Sequence, residues 1–132
     1  MRKQIFLACV CLAAAFTGVA WAGPREEAAA AYRRGDYATA FQLWRPLAEQ
    51  GDGETQMALG FLYHEGEGVP KDFVRAYMWF GLAMSNFSSN QEGFLDAMEA
   101  GNFTAKKMTP EQIAEARDMA YRCQAQRYKG CD

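Results

Sequence analysis

The stretch from Gly53 to Met84 constrains the fold more than any other part of the chain. It holds two apolar-periodic segments joined by the compact turn Glu65-Gly-Glu-Gly-Val-Pro-Lys-Asp72. In the first segment Met57, Ala58, Phe61 and Leu62 fall on one face of a helix. In the second, Phe73, Ala76, Tyr77, Phe80, Ala83 and Met84 follow the same helical spacing. A reversal between them needs backbone freedom, which Gly66 and Gly68 supply. Pro70 cannot continue the first helix, and Asp72 is placed to cap the second with its carboxylate. The segment therefore predicts an antiparallel helix pair, in which Ala58, Gly60, Ala76 and Ala83 permit close approach and Phe61, Tyr77, Trp79 and Phe80 fill volume.

The string Gln56-Met-Ala-Leu-Gly-Phe-Leu-Tyr63, the turn Gly66-Glu-Gly-Val-Pro-Lys-Asp72 and Ala76-x-x-Trp79-Phe80 together resemble a Sel1-like repeat, a relative of the tetratricopeptide helix pair. Upstream, Gly35-Asp36 ends one helix and caps the next. The residues from Gly35 to Asp52 look like the second half of a preceding unit whose first helix is degenerate. Tyr37-x-x-Ala40-x-x-Leu43-Trp44 echoes Phe73-x-x-Ala76-x-x-Trp79-Phe80 at an offset of 36 residues, a solenoid spacing. Tyr37, Ala40, Phe41, Trp44, Leu47 and Ala48 form its stripe, and Pro46 within it predicts a kink.

After Met84 the chain turns polar. Asn90 is placed to cap a helix reaching about Lys107, with Phe94, Leu95, Met98 and Phe103 inward and a weak point at Gly101. Thr109-Pro-Glu-Gln112 carries a capping box with proline at the first helical position. Ile113, Ala116, Ala120 and Cys123 make the stripe of that last helix. Lys106 to Ala116 resembles the ending of secreted bacterial Sel1-like proteins. The expected fold is all-α, a short right-handed solenoid of antiparallel helix pairs closed by a C-terminal capping helix. Its parts are a degenerate pair over about 24–51, a clear unit over about 53–86 and capping helices over about 90–129.

Basic Arg2 and Lys3, the apolar run from Ile5 to Ala22 and the ending Ala20-Trp21-Ala22 have the order of a secretory signal peptide over 1–22. The expected cut lies between Ala22 and Gly23; retention of the run as a membrane anchor is the rival reading. Cys9 and Cys11 lack the context of a lipidation site, since Val10 precedes Cys11 and Cys9 comes too early in the run. Loss of Arg2 and Lys3 leaves 12 basic residues against 16 acidic ones, a net charge of −4. That balance opposes nucleic-acid binding and docking on anionic lipid, so no nucleic-acid partner and no stable membrane insertion are expected after cleavage. The implied location is periplasmic or secreted.

Two cysteines follow the signal segment, Cys123 and Cys131. An even pair in an exported chain points to a disulfide; a buried thiol at Cys123 and a free one at Cys131 is the alternative. A continuous helix would separate the two α-carbons by about 12 Å, beyond the bridging limit of about 7 Å. The bridge therefore requires the helix to end near Gln126 and the chain to fold back through Lys129-Gly130. His64 is the only histidine and reads as an exposed turn residue beside Glu65. Glu65 and Glu67 read as solvated turn acids. No catalytic nucleophile–base set, cofactor fingerprint or metal-ligand spacing is present, so neither catalysis nor a cofactor is expected. Of the aromatics, Tyr32 and Tyr63, with His64, are the candidates for holding a partner protein or peptide. The resemblance implies a non-catalytic adaptor. The alternatives are a small enzyme or inhibitor acting on cell-wall or antibiotic substrates and a structural subunit of an envelope complex.

Overall fold

The computed structural model describes residues 22–87 and 91–131. Six helices and no strand occur among them. They are α1 (Pro24–Arg33), α2 (Tyr37–Ala48), α3 (Gly53–Glu65), α4 (Phe73–Asn86), α5 (Glu92–Ala105) and α6 (Pro110–Ala125). Each helix from α1 to α4 packs on the next in sequence, as in a helix-pair solenoid, α5 also touches α3, and α6 packs on α4. The proposed signal segment, with Cys9 and Cys11, lies outside the described residues apart from Ala22. Ala22 and Gly23 precede α1, with Gly23 at its N-cap.

Local chemistry sets the helix boundaries. Asp36 accepts from the Thr39 amide at 3.3 Å and Asp52 from the Glu54 amide at 3.2 Å. Asp72 accepts from the Arg75 amide at 2.9 Å, while its own amide donates to the Tyr63 carbonyl at 2.9 Å. The α4 cap is thus bonded to the end of α3, which closes the hairpin. At α6 the capping box forms in both directions, Gln112 amide to Thr109 Oγ1 and Thr109 amide to Gln112 Oε1. Arg25 forks onto Asp52 and Glu54, tying the start of α1 to the start of α3.

Helix α4 lies at the centre, packed by α3, α5 and α6. Ala76, Met78, Trp79, Phe80, Leu82 and Ala83 are all buried on it, so more than one face is inside. The expected single stripe was too narrow because this helix has three neighbours. Helix α3, between α2 and α4, buries Leu59, Gly60, Leu62, Tyr63 and His64. Gly60 is the point of closest approach: a Cβ there would stand 2.5 Å from the Phe80 ring.

Several expectations are corrected. Phe61 does not face inward; it is 41% exposed, with its ring edge-on to Phe80 at 5.0 Å. Leu95 and Phe103 are each 54% exposed and Met98 is also exposed, while Ala97, Gly101 and Thr104 bury α5 against its neighbours. Small residues won that face because they let α5 come close to α4, where a Cβ added at Gly101 would already touch Phe80 Cβ at 3.7 Å. The same packing carries α5 unbroken through Gly101. Helix α2 likewise runs on through Pro46, which sits exposed in the last turn. Asn90 lies outside the described residues, and Gln91, at the N-cap of α5, makes no side-chain capping bond.

Gln56 is fully buried and fully engaged. Its Nε2 donates to the Ala48 carbonyl at 3.0 Å and its Oε1 accepts from Asn86 Nδ2 at 2.8 Å. The Tyr128 hydroxyl in turn donates to Asn86 Oδ1 at 3.2 Å. This relay crosses from α2 through α3 and α4 to the C-terminal segment. Cys123 and Cys131 are joined by a disulfide with a Cα–Cα distance of 5.0 Å. Helix α6 ends at Ala125 and the chain reverses through Arg127, Tyr128 and Gly130, all at positive φ.

Candidate interaction face

Helices α1, α3 and α5 share one side of the molecule. Tyr32 projects from α1, with its ring 5.1 Å from Tyr37 and 5.7 Å from Trp44. Tyr32, Trp44, Met57 and Phe61 line a hollow of about 220 Å³. Met57 and Phe61 also line the next groove, of about 380 Å³, which Ala100, Phe103, Asp96 and Glu99 complete. The result is a continuous apolar strip from Tyr32 to Phe103, bordered by carboxylates. Leu95 and Met98 widen the strip along α5. The chain's bulky apolar residues stand outward here because Ala97, Gly101 and Thr104 already satisfy the packing of α5.

Of the three residues expected to meet a partner, only Tyr32 reaches solvent. Burial, then the neighbouring Glu67 carboxylate, raises the pKa of its hydroxyl and keeps the phenol neutral. The acid at position 67 is therefore not the solvated turn residue expected; it stands beside Tyr32. Tyr63 is 6% exposed and its ring packs edge-on to Phe41 at 5.7 Å. His64 is also 6% exposed, which corrects both its reading as a turn residue and its direct part in a surface.

His64 instead supports the strip from beneath. Its ring lies 5.2 Å from Phe73 and 5.4 Å from Phe103, and Lys107 Nζ sits over both of those rings. Thr104 Oγ1 donates its single proton to the Ala100 carbonyl at 2.8 Å. The same hydroxyl oxygen lies 2.9 Å from His64 Nδ1, so the buried imidazole is hydrogen-bonded to Thr104. Desolvation lowers the His64 pKa below its usual 6.5; the Glu65 carboxylate opposes this, and Lys107 and Lys71 reinforce it.

A pH effect follows from that direction. With the folded-state pKa depressed, the unfolded chain binds the proton more readily. The stability contributed by neutral His64 is complete above the unfolded value of 6.5 and is lost as pH falls through the folded one. Denaturation midpoints measured between about pH 7 and 5 should decline. His64→Asn, whose amide can still donate to Thr104, should flatten that decline. An unchanged slope in the variant would assign the pH dependence to other groups.

No group of three His, Cys, Asp or Glu side chains that could hold a metal ion occurs among the described residues. No helix among them is long and apolar enough to cross a membrane. Residues 28–52 and 53–85 each match the Sel1 repeat family. No curated protein and no solved structure matches the chain. The two matched segments correspond to the α1–α2 and α3–α4 hairpins, and α5 with α6 follows them. Sequence reasoning missed Leu95, Met98 and Phe103 as surface residues. The signal that could have found them is the spacing of Ala97, Gly101 and Thr104 at i, i+4 and i+7, a narrow small-residue stripe suited to close packing.

Proposed function

We propose that this chain, which belongs to the Sel1 repeat family over residues 28–85, is an exported, non-catalytic adaptor that holds a peptide segment of a partner protein along the α1/α3/α5 strip. Sel1 repeats are protein–protein interaction modules, which supplies the general role. The observation that carries the finer reading is the outward placement of Phe61, Leu95, Met98 and Phe103 beside a groove whose only charged lining residues, among those described, are Asp96 and Glu99. Contiguous apolar surface rimmed by charge is what a docking segment covers. The carboxylates favour a segment with apolar anchors and basic neighbours. Export is supported by the signal-like start of the sequence and by the Cys123–Cys131 disulfide, which suits an oxidising compartment.

A photo-crosslinking amino acid placed at position 61 or 103 in the native host should give a discrete adduct, and one at exposed Glu115 on α6 should not. With the captured partner in hand, Phe61→Ala/Phe103→Ala should weaken binding at least tenfold, as loss of two interface anchors does. Both side chains are about half exposed, so the thermal midpoint should fall by a few degrees while the fold persists. Equal adducts at all three positions, or unaltered affinity in the double variant, would remove the strip from the mechanism.

A further inference from the structure

The other side of α5 carries a second groove. Helix α6 packs on α4 rather than pairing closely with α5, so α5 and α6 straddle α4 and leave an open trough of about 400 Å³ between them. Its walls are mostly apolar, including Met84 and Phe94. Its floor includes Gly81, where an added Cβ would meet nothing within 4 Å. Among the described residues, Arg117 is its only charged lining residue. The guanidinium donates to the Tyr77 hydroxyl at 3.4 Å, and among the described residues no carboxylate pairs with it. On α6 the nearby Asp118 is taken by Arg122.

The two grooves flanking α5 thus differ in sign. Among the described residues, the first is lined by Asp96 and Glu99, with Lys106 and Lys107 only at its Phe103 end, and the second by Arg117 and no carboxylate. We infer that the α4/α5/α6 trough is a second binding site, taking an acidic amphipathic segment of a partner protein. Apolar side chains of that segment fill the space over Gly81, and a carboxylate engages Arg117. A guanidinium presents paired donors matched to a carboxylate, and cover by the bound segment removes competing water. The trough reaches solvent between α5 and α6, so a chain segment can enter it from outside. The trough shares Met98 with the α1/α3/α5 strip, but Gly81 and Arg117 belong to the trough alone, so its failure at those two positions would leave that reading intact.

The probe is a designed amphipathic helix of about 16 residues with leucine on one face and glutamate on the other, and a second peptide with lysine replacing every glutamate. Binding to the full mature chain is read by fluorescence anisotropy and by amide chemical shifts. The glutamate peptide should bind and shift the amides of Gly81, Gly101 and Arg117, and the lysine peptide should leave them in place. Arg117→Glu should weaken binding about tenfold or more, the effect of one charge-assisted hydrogen-bonded contact, and Arg117→Lys should restore part of it. Gly81→Leu fills the trough from a helical position with free space above it, so it should abolish binding while preserving the thermal midpoint. Phe61→Ala should have no effect. Binding that survives Gly81→Leu, or shifts confined to the α3/α5 groove, would overturn the site. Shifts at Gly81 and Gly101 produced by decanoate and not by the peptide would overturn the choice of ligand.

Discussion

Replacing Gly68 with alanine should cost about 3 kcal/mol of folding free energy, one of the two largest effects we expect from a change outside the central core. Two independent penalties meet at this residue. Its φ is +72°, where a side chain strains the backbone. A Cβ there would also stand 2.6 Å from the Tyr37 carbonyl carbon, 2.7 Å from its oxygen and 2.8 Å from the Ala38 amide nitrogen. These are backbone atoms at the start of α2, so no rotamer change can relieve the contact. The turn between α3 and α4 is thereby pressed onto the neighbouring hairpin, and Gly68 is an inter-repeat contact as much as a turn residue. Urea denaturation should show the midpoint fall with little change in slope. Gly35→Ala is the control: its φ is +79°, but an added Cβ meets nothing within 4 Å, so only the conformational cost, about 1 kcal/mol, should appear. Equal losses at the two positions would show that the Gly68–Tyr37 contact contributes nothing.

That contact also shows where sequence reasoning stops. The α3–α4 hairpin was legible because its determinants are local: Gly66 and Gly68 reverse the chain, Pro70 blocks continuation and Asp72 caps the next helix. The Thr109–Gln112 capping box was legible for the same reason. What a helix face touches is not local. Phe61 follows the helical period as well as Leu62 does, yet one is largely exposed and the other buried, because α2 and α4 occupy particular sides of α3. On α5 the sequence expects Phe94, Leu95, Met98 and Phe103 inward, while the structure packs Ala97, Gly101 and Thr104 inward and leaves Leu95, Met98 and Phe103 exposed. His64 adjoins a glycine-rich turn in sequence, but Thr104, 40 residues on, folds over it. Tyr32 was recognised as available; the strip it begins depends on Met57, Phe61 and Phe103 arriving from two other helices. Pro46 does not end α2, because it falls in the helix's final turn, where few bonds remain to be broken.

Removing the Cys123–Cys131 bond should be the other large loss, about 2.5 kcal/mol from the restored entropy of the unfolded chain. The closed loop is short, with a sequence separation of 8, and a terminal loop of that size could fray alone without disturbing the rest. The C-terminal segment here is not isolated. Tyr128 covers the turn between α2 and α3, where a Cβ on Gly51 would lie 3.2 Å from its ring, and its hydroxyl donates to Asn86. Asn86 holds Gln56, and Gln56 holds the Ala48 carbonyl. The bond therefore anchors one end of a polar relay that reaches α2. Arg127 and Tyr128 adopt φ of 54° and 65° to bring Cys131 back beneath α6, and the Tyr128 amide closes the turn on the Cys123 carbonyl at 2.8 Å. Without the covalent tie, the strain of that left-handed pair is offset by the Tyr128 hydrogen bonds and by its ring packing over Gly51. The double variant Cys123→Ala/Cys131→Ala should melt roughly 10 °C lower as a single cooperative transition. Hydrogen exchange should quicken at the Tyr128 amide and also in the last turn of α4, around Asn86. Arg127→Gly in that background should recover part of the loss by relieving one left-handed residue. Quickened exchange limited to residues beyond Gln126, with an unchanged melting midpoint, would show the staple to be local and the relay to stop at Asn86.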